Sequence, residues 1–321
     1  MAGGQERVLR RRIRSVESTK KITRAMELIA ASRIVRAQQA IVAARPYVGK
    51  LREVIGHLSE SPEAANHPLF HDVHSTQKVA IVFVTADRGL AGGYNANIIR
   101  TVERMMREHR AAGRDVQLVA LGRKGVNYFR YRGQPILFSM IGVSERPTYA
   151  DARRVVGEVI PPFEAGQLDQ IELVYTRFIS IGSQTVQTRQ LVPLVPEEGH
   201  EGTAPAATAD GGSPTAYEFE PEPEEILDRL IPSWLEAEVL TAMLEAAASE
   251  QAARQRAMKA ATDNADELIK TLRRVMNRAR QDAITTEIME IVGGAEALRQ
   301  QSRGDDHGPQ HDAFVPIQES A

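Results

Sequence analysis

From Ala30 onward, apolar or small residues recur as Ala30, Ile34, Ala37, Ile41, Ala44, Val48, Leu51, Ile55 and Leu58, in alternating steps of four and three. That alternation is the heptad signature of a helix with one narrow apolar seam. Traced backward, the seam continues through Leu9, Ile13 and Val16, is interrupted by the polar Lys20 and Thr23, and resumes at Met26. The spacing predicts one helix of about 50 residues, about 75 Å long at the helical rise. Pro46 removes one backbone donor inside it, so a bend is expected there, yet the seam keeps its phase on both sides. The other end carries a matching stripe from Leu227 and Leu230 through Trp234, Ala237, Leu244, Ala248, Gln251 and Met258 to Ile269, Leu272, Met276 and Ala279. No proline or glycine falls between Ser233 and Val292, which predicts a second helix of about 90 Å. Neither helix has enough globular chain around it to be buried along its length, so the two are expected to pair as an antiparallel coiled coil, a long rod. Ala and Gln at many seam positions allow close approach but stabilise each layer less than Leu. The later stretch Ile284, Ile288, Met289, Ile291 and Val292 is more apolar and is expected to enter a separate socket.

Between the helices the period changes from seven to continuous apolar runs: VAIVFVT (79–85), VQLVALG (116–122), PILFSMIGV (135–143) and IELVYTRFIS (171–180). Helical patterns at 94–112, about 123–131 and 148–163 separate them. Alternation of strand and helix with unbroken apolar strands predicts a mainly parallel sheet covered on both faces. VQTRQLVPL (186–194) follows at hairpin-like spacing and is expected to add an antiparallel edge strand. The predicted fold class is therefore α/β: a long antiparallel coiled coil of the N- and C-terminal helices with an inserted, small doubly wound domain. The expected boundaries are 1–60 for the first helix, 75–195 for the inserted domain, 196–225 for an acidic Gly/Pro-rich linker, 226–298 for the second helix and 299–321 for a disordered tail.

The stretch TADRGLAGGYN (85–95), between a strand and a helix, has the look of a phosphate cradle. A P-loop needs Lys and Ser/Thr after its last glycine, and here Gly92-Gly93 is followed by Tyr94-Asn95. The dinucleotide fingerprint fails too, since Gly89, Gly92 and Gly93 have the wrong spacing and VQLVALG leads to Arg123 where an acid would bind ribose. The reading preferred is a structural turn, in which Gly89, Gly92 and Gly93 allow positive φ and close packing while Asp87 or Asn95 holds backbone donors. His67, His71 and His74 read as a surface loop, because no second ligand cluster accompanies them. No G-x-S-x-G, H-E-x-x-H or EF-hand pattern occurs, so neither catalysis nor a cofactor is expected. The absence of cysteine excludes disulfides and thiol switching, and a net charge of -2 gives the whole chain no field selective for nucleic acid or anionic lipid. No run approaches the roughly 20 apolar residues of a membrane span.

Charge is informative only locally. Residues 1–36 hold ten Lys/Arg against three acids, with Lys20, Lys21, Arg24, Arg33 and Arg36 spread around the helix. A solvated face, a nucleic-acid surface and a docking surface for acidic protein loops are all compatible with that pattern, although the interleaved aromatics of single-strand binders are absent. Near the other end, Arg280, Gln281 and Thr285 fall on neighbouring positions of the helix and could bond outward to a partner.

The segments RIRSVESTKKITRAMELIAASRIVRAQ, TADRGLAGGYN, LEAAASEQAARQRAMKAATDNADELI and NRARQDAITTEIMEIVGGAEAL resemble the gamma subunit of the F-type ATP synthase, the central shaft of a rotary motor, over residues 3–298. The resemblance implies a non-catalytic subunit without a cofactor, inside a hexamer of alpha and beta subunits, with the α/β domain against the epsilon subunit and the c-subunit ring. It also implies a peripheral position at the cytoplasmic face of a bacterial cell membrane, and regulation of ATPase activity alongside coupling. Arg280, Gln281 and Thr285 match helix positions that meet beta-subunit loops. Met26 and the basic residues Lys20, Lys21, Arg24, Arg33 and Arg36 match the face opposite an acidic lever loop of beta. Two features depart from the family: an acidic stretch at 197–216 longer than the usual connection, resembling an actinobacterial insertion, and a tail beyond Leu298. The regulatory cysteine pair of chloroplast relatives is missing. The competing readings are a nucleotide-dependent enzyme with coiled-coil arms, which requires saturable nucleotide binding, and a nucleic-acid-binding coiled coil, which requires salt-sensitive binding.

Overall fold

The computed structural model describes residues 2–59, 76–194 and 223–304. The histidine loop at 67–74, the 197–216 stretch and the tail beyond 304 lie outside the described residues. The chain divides into two compact units, one of residues 1–22 and 261–321 and one of residues 23–260.

In the first unit, the start of α1 (Ala2–Ser59) pairs with the later part of α5 (Pro223–Gly304). Ile13, Ile269 and Leu272 are buried together, flanked by Leu9, Val16 and Met276, which are the seam positions expected from the heptads. Lys20–Asp266 at 2.5 Å and Glu17–Arg273 at 2.7 Å fix the antiparallel register from outside the seam. These pairs are exposed, so each adds little stability and serves alignment.

In the second unit the same two helices continue, with Ile41 against Leu244 and Ala248, and Val48 and Leu51 against Ala237. The polar interruption of the α1 seam runs through Thr23 and Glu27, both buried at 8% and 9% exposure. Glu27, not Met26, thus carries the seam at that layer, and Arg24 satisfies its carboxylate at 2.9 Å. Pro46 lies within an uninterrupted α1.

The inserted domain is a five-stranded sheet in the order β3-β2-β1-β4-β5. Its strands are β1 (Lys78–Val84), β2 (Asp115–Leu121), β3 (Ile136–Met140), β4 (Gln170–Phe178) and β5 (Gln184–Val192). All neighbours are parallel except β4 and β5, so the edge hairpin is antiparallel as its spacing predicts. Successive side chains of β1 go to opposite faces, and both faces are covered. Val79, Ile81 and Phe83 pack under α2 (Tyr94–Ala111) and α3 (Arg123–Tyr131), while Ala80, Val82 and Val84 pack under α4 (Tyr149–Glu164). Thr148 opens α4 with a reciprocal capping box to Asp151.

One expectation fails in this unit. A second stripe of α5, made of Ile231, Leu235, Val239, Ala242, Met243 and Ala246, is buried on the α4 side of the sheet. Over this length the helix is covered by the sheet on one side and by α1 on another, so a single seam underestimates its burial. The helix also begins at Pro223 and continues to Gly304, beyond the 226–298 limits expected.

Candidate functional site

The glycine turn lies where β1 hands over to α2, at the carboxyl edge of the sheet. Thr85 ends the strand with its N–H donating to Leu121 O at 2.8 Å, and its hydroxyl accepts the Gly125 N–H at 2.9 Å. The two chains approach so closely that a Cβ on Gly122 would lie 1.9 Å from Thr85 O. Asp87 then ties three loops together: its carboxylate accepts the Arg123 N–H at 3.0 Å and the Ser144 N–H at 3.1 Å, and its own N–H donates to the Ser144 hydroxyl at 2.9 Å. Burial pushes the Asp87 carboxyl up, but these bonds and one from the Gly142 backbone outweigh it and hold the group below its usual value. Asn95 accepts the Ala86 N–H at 2.9 Å, so its side chain closes the turn and leaves the start of α2 without a side-chain cap. Of the three glycines, only Gly92 has positive φ, at 54°. Leu90 carries the other left-handed residue of the turn, at 64°. Gly89 and Gly93 would meet a Cβ at ordinary contact distances, so nothing in the geometry demands glycine there.

Beneath the turn, α5 presents Glu250 and Arg254, with 0% and 5% of their surface exposed, joined at 2.5 Å. Arg254 also donates to Gly89 O at 3.3 Å. Burial pushes the Glu250 carboxyl up, opposed by Arg254 and by the Ser144 hydroxyl. A cavity of about 360 Å³ lies beside this pair, lined by Gly92, Tyr94, Thr176, Gln184, Ser249 and Arg256 among others. Arg256 is engaged with Ile181 O and Gln184. No group of three or more potential metal ligands gathers anywhere among the described residues.

The expected partner-contact residues fall into the two units. In the first, Arg280, Gln281 and Thr285 are all exposed, as is Lys21, while Lys20 is occupied by Asp266. The neighbouring apolar residues Ile284, Ile288, Met289, Ile291 and Val292 are 49–69% exposed and pack against no other part of the described chain as a core. In the second unit, Arg24 is paired with Glu27, and Arg33 shares Glu145 with Arg88 at 2.8 and 3.3 Å. Arg36 is exposed and has no ion pair among the described residues, and Met26 is half-buried. The basic start thus divides into cations held internally and cations left outward. Sequence reasoning missed the Glu250–Arg254 pair, although acid and base four apart in an Ala-rich helix is a legible ion-pair spacing.

The family model described as ATP synthase matches residues 5–298. An ATP synthase gamma chain of Frankia casuarinae is 48% identical over 299 residues, spanning 92% of this chain and 98% of that one. One from Parafrankia is 47% identical over the same shares, and one from Streptomyces avermitilis is 42% identical over 95% and 99%. A chain of the Euglena gracilis mitochondrial ATP synthase, seen by cryo-EM with OSCP, F1 and c-ring, covers 98% of this chain and has a TM-score of 0.65. Its 18% identity speaks to the fold alone. The helix pair, the inserted sheet and the sequence match over nearly all of the chain agree, and the chain belongs to the ATP synthase gamma-chain family.

Proposed function

We propose that this chain is the central rotor shaft of a proton-translocating F-type ATP synthase, coupling proton flow through the membrane sector to ATP synthesis in an alpha/beta hexamer. The observation that carries the reading is the exposed end of α5. Five large apolar side chains from Ile284 to Val292, next to outward Arg280, Gln281 and Thr285, form a surface that a chain alone in water has no reason to display. An apolar sleeve in the hexamer would cover that end, and loops of beta would meet the polar trio. Lys21 and Arg36 are free to meet acidic loops, with Met26 and the paired Lys20, Arg24 and Arg33 on the same helix. The epsilon subunit and the c-subunit ring are the partners of the inserted domain. Among the described residues no helix is long and apolar enough to cross a membrane, which suits a peripheral subunit at the cytoplasmic face. Catalysis belongs to the beta subunits: an asymmetric shaft biases three equivalent sites toward different states, and its rotation cycles those biases and regulates hydrolysis.

The test is co-expression of the tagged chain with alpha and beta subunits. Recovery of a stoichiometric complex whose ATPase activity depends on the chain is expected. Recovery of the chain alone, with ATPase independent of it, would overturn the reading.

A further inference from the structure

The rotor reading makes no use of the cavity at the carboxyl edge of the sheet. Its volume is about 360 Å³, at the small end of the range in which proteins hold ligands. Gly92, Gly93 and Tyr94 form one wall, so the space lies at the amino end of α2, a helix of 18 residues whose first turn has no side-chain cap. Such an end is positively polarised. The other walls add two groups. Thr176 of β4 is 5% exposed, and its Oγ1 lies beside the Tyr94 hydroxyl in a geometry that makes no hydrogen bond, leaving it without a partner among the described residues. An unmet hydroxyl at that depth costs free energy unless a guest satisfies it. Arg256 of α5 is the only charged side chain lining the cavity among the described residues. It bonds Ile181 O and the Gln184 side chain, and a guanidinium has five N–H donors, so part of its fork has no bond among the described residues. No acid lines the space, and Glu250, the acid that acts on Tyr94, is paired with Arg254 at 2.5 Å.

We infer that this cavity binds inorganic phosphate, with Arg256 as counter-charge, the Thr176 hydroxyl as buried hydrogen-bond partner and the amino end of α2 as third contact. An uncapped helix end, a cation and an unmet hydroxyl are the donor set of an oxyanion site. A whole nucleotide is a poorer match. The P-loop lysine and the ribose-binding acid are missing from the sequence. On the α5 side, Ser249 donates to Thr176 O at 3.0 Å and a Cβ on Gly92 would lie 3.8 Å from Ala257, which leaves room for the anion without its nucleoside. Because α2, β4 and α5 would share the guest, binding stabilises the seating of the inserted domain on this stretch of α5. The inference concerns the chain itself and goes beyond the rotor reading. In a complex that makes ATP, phosphate is a substrate, and the cavity gives the shaft a contact that follows its supply.

The probe is sodium phosphate titrated into the full chain at neutral pH, with chloride holding the ionic strength constant. Hydrogen exchange is followed over 91–97 and 249–257, and the urea midpoint in chloride alone reports the integrity of the fold. Saturable slowing of exchange in both segments is expected, half-complete at a phosphate concentration on the order of 1 mM. T176V and R256Q should each weaken binding at least about tenfold, the loss expected when a hydrogen bond to a charged guest is removed. R256K keeps the charge and should recover part of what R256Q loses. R104Q, an exposed position further along α2, should bind as wild type does. Absence of a saturable effect on these amides overturns the inference. Wild-type affinity in R256Q overturns it too, because the anion is then adventitious. Should T176V fail to fold, R256Q and R256K decide alone, since Arg256 is an exposed residue, and equal affinity in those two variants overturns the role of the charge.

Discussion

Replacing Asp87 with Ala removes the acceptor of two backbone N–H groups, those of Arg123 at 3.0 Å and Ser144 at 3.1 Å. Hydrogen bonds to a charged group contribute about 1.5–3 kcal/mol each, and the half-buried position of Asp87 places these at the lower end, for a loss of about 3 kcal/mol in the inserted domain. The sign of the pH dependence follows from the depressed carboxyl. A group held below its usual value of 3.8 in the fold contributes stability that is present above that value and lost as pH falls through the folded value. The difference between wild type and Asp87→Ala should therefore be constant from neutral pH down to about pH 5 and shrink below about pH 4. The assay is urea unfolding of the full chain followed by its single tryptophan, Trp234, which packs against the domain core. Hydrogen exchange over 121–126 and 141–146 should show faster exchange at the Arg123 and Ser144 amides. An unchanged midpoint, or a difference that persists undiminished at pH 3, would refute the assignment of Asp87 as an ionised clasp.

Gly122→Ala should cost more than about 3 kcal/mol, because its Cβ would meet a backbone carbonyl at 1.9 Å with φ at 91°, and a soluble variant with wild-type melting would contradict the close approach of β1 and β2. The isolated chain should bind no ATP at a stoichiometric micromolar site, and calorimetry finding such a site that Gly92→Val abolishes would reverse the reading of the turn. Replacing Arg280 and Gln281 together with Ala should slow ATP synthesis and hydrolysis in a fully assembled complex, by about 1–3 kcal/mol of contact energy each, without loss of helix. Wild-type rates and coupling in that assembled complex would make both side chains passengers.

Much of this fold is legible because two periods do not mix. The four-three steps through Ile34, Ile41 and Val48 can only be a seam, and the unbroken VAIVFV can only be a strand covered twice. The heptad pattern hid the second stripe of α5, since Leu235, Val239, Ala242 and Ala246 fill positions that a two-helix rod would expose. Ala is small enough to read as neutral there, so its burial leaves no signature. The placement of Met26 in the seam failed for a related reason: an apolar side chain one step out of phase is a better pattern match than Glu27, although the backbone turns Glu27 inward. The turn glycines were legible as a group, but their separate roles depended on approach distances and dihedrals, which sequence does not contain.

The position of α5 decides how much of the usual ligand crevice of a doubly wound domain is left open. In this fold the crevice outside the carboxyl ends of the strands, where strand order reverses, is the usual place for a nucleotide. Here that point is between β1 and β4, and it coincides with the cavity next to Gly92 and Thr176. Its wall is not open solvent but α5: Ser249 bonds Thr176 O at 3.0 Å, a Cβ on Gly92 would touch Ala257 at 3.8 Å, and Arg254 takes Gly89 O. Two carbonyls that line this crevice, those of Thr176 and Gly89, accept from a helix of the same chain. The edge at which related architectures bind cofactors has become the edge at which this domain grips its own shaft. A side chain introduced there would disturb the seating of the domain before it disturbed any chemistry, and that is the property expected of a part whose task is to transmit rotation.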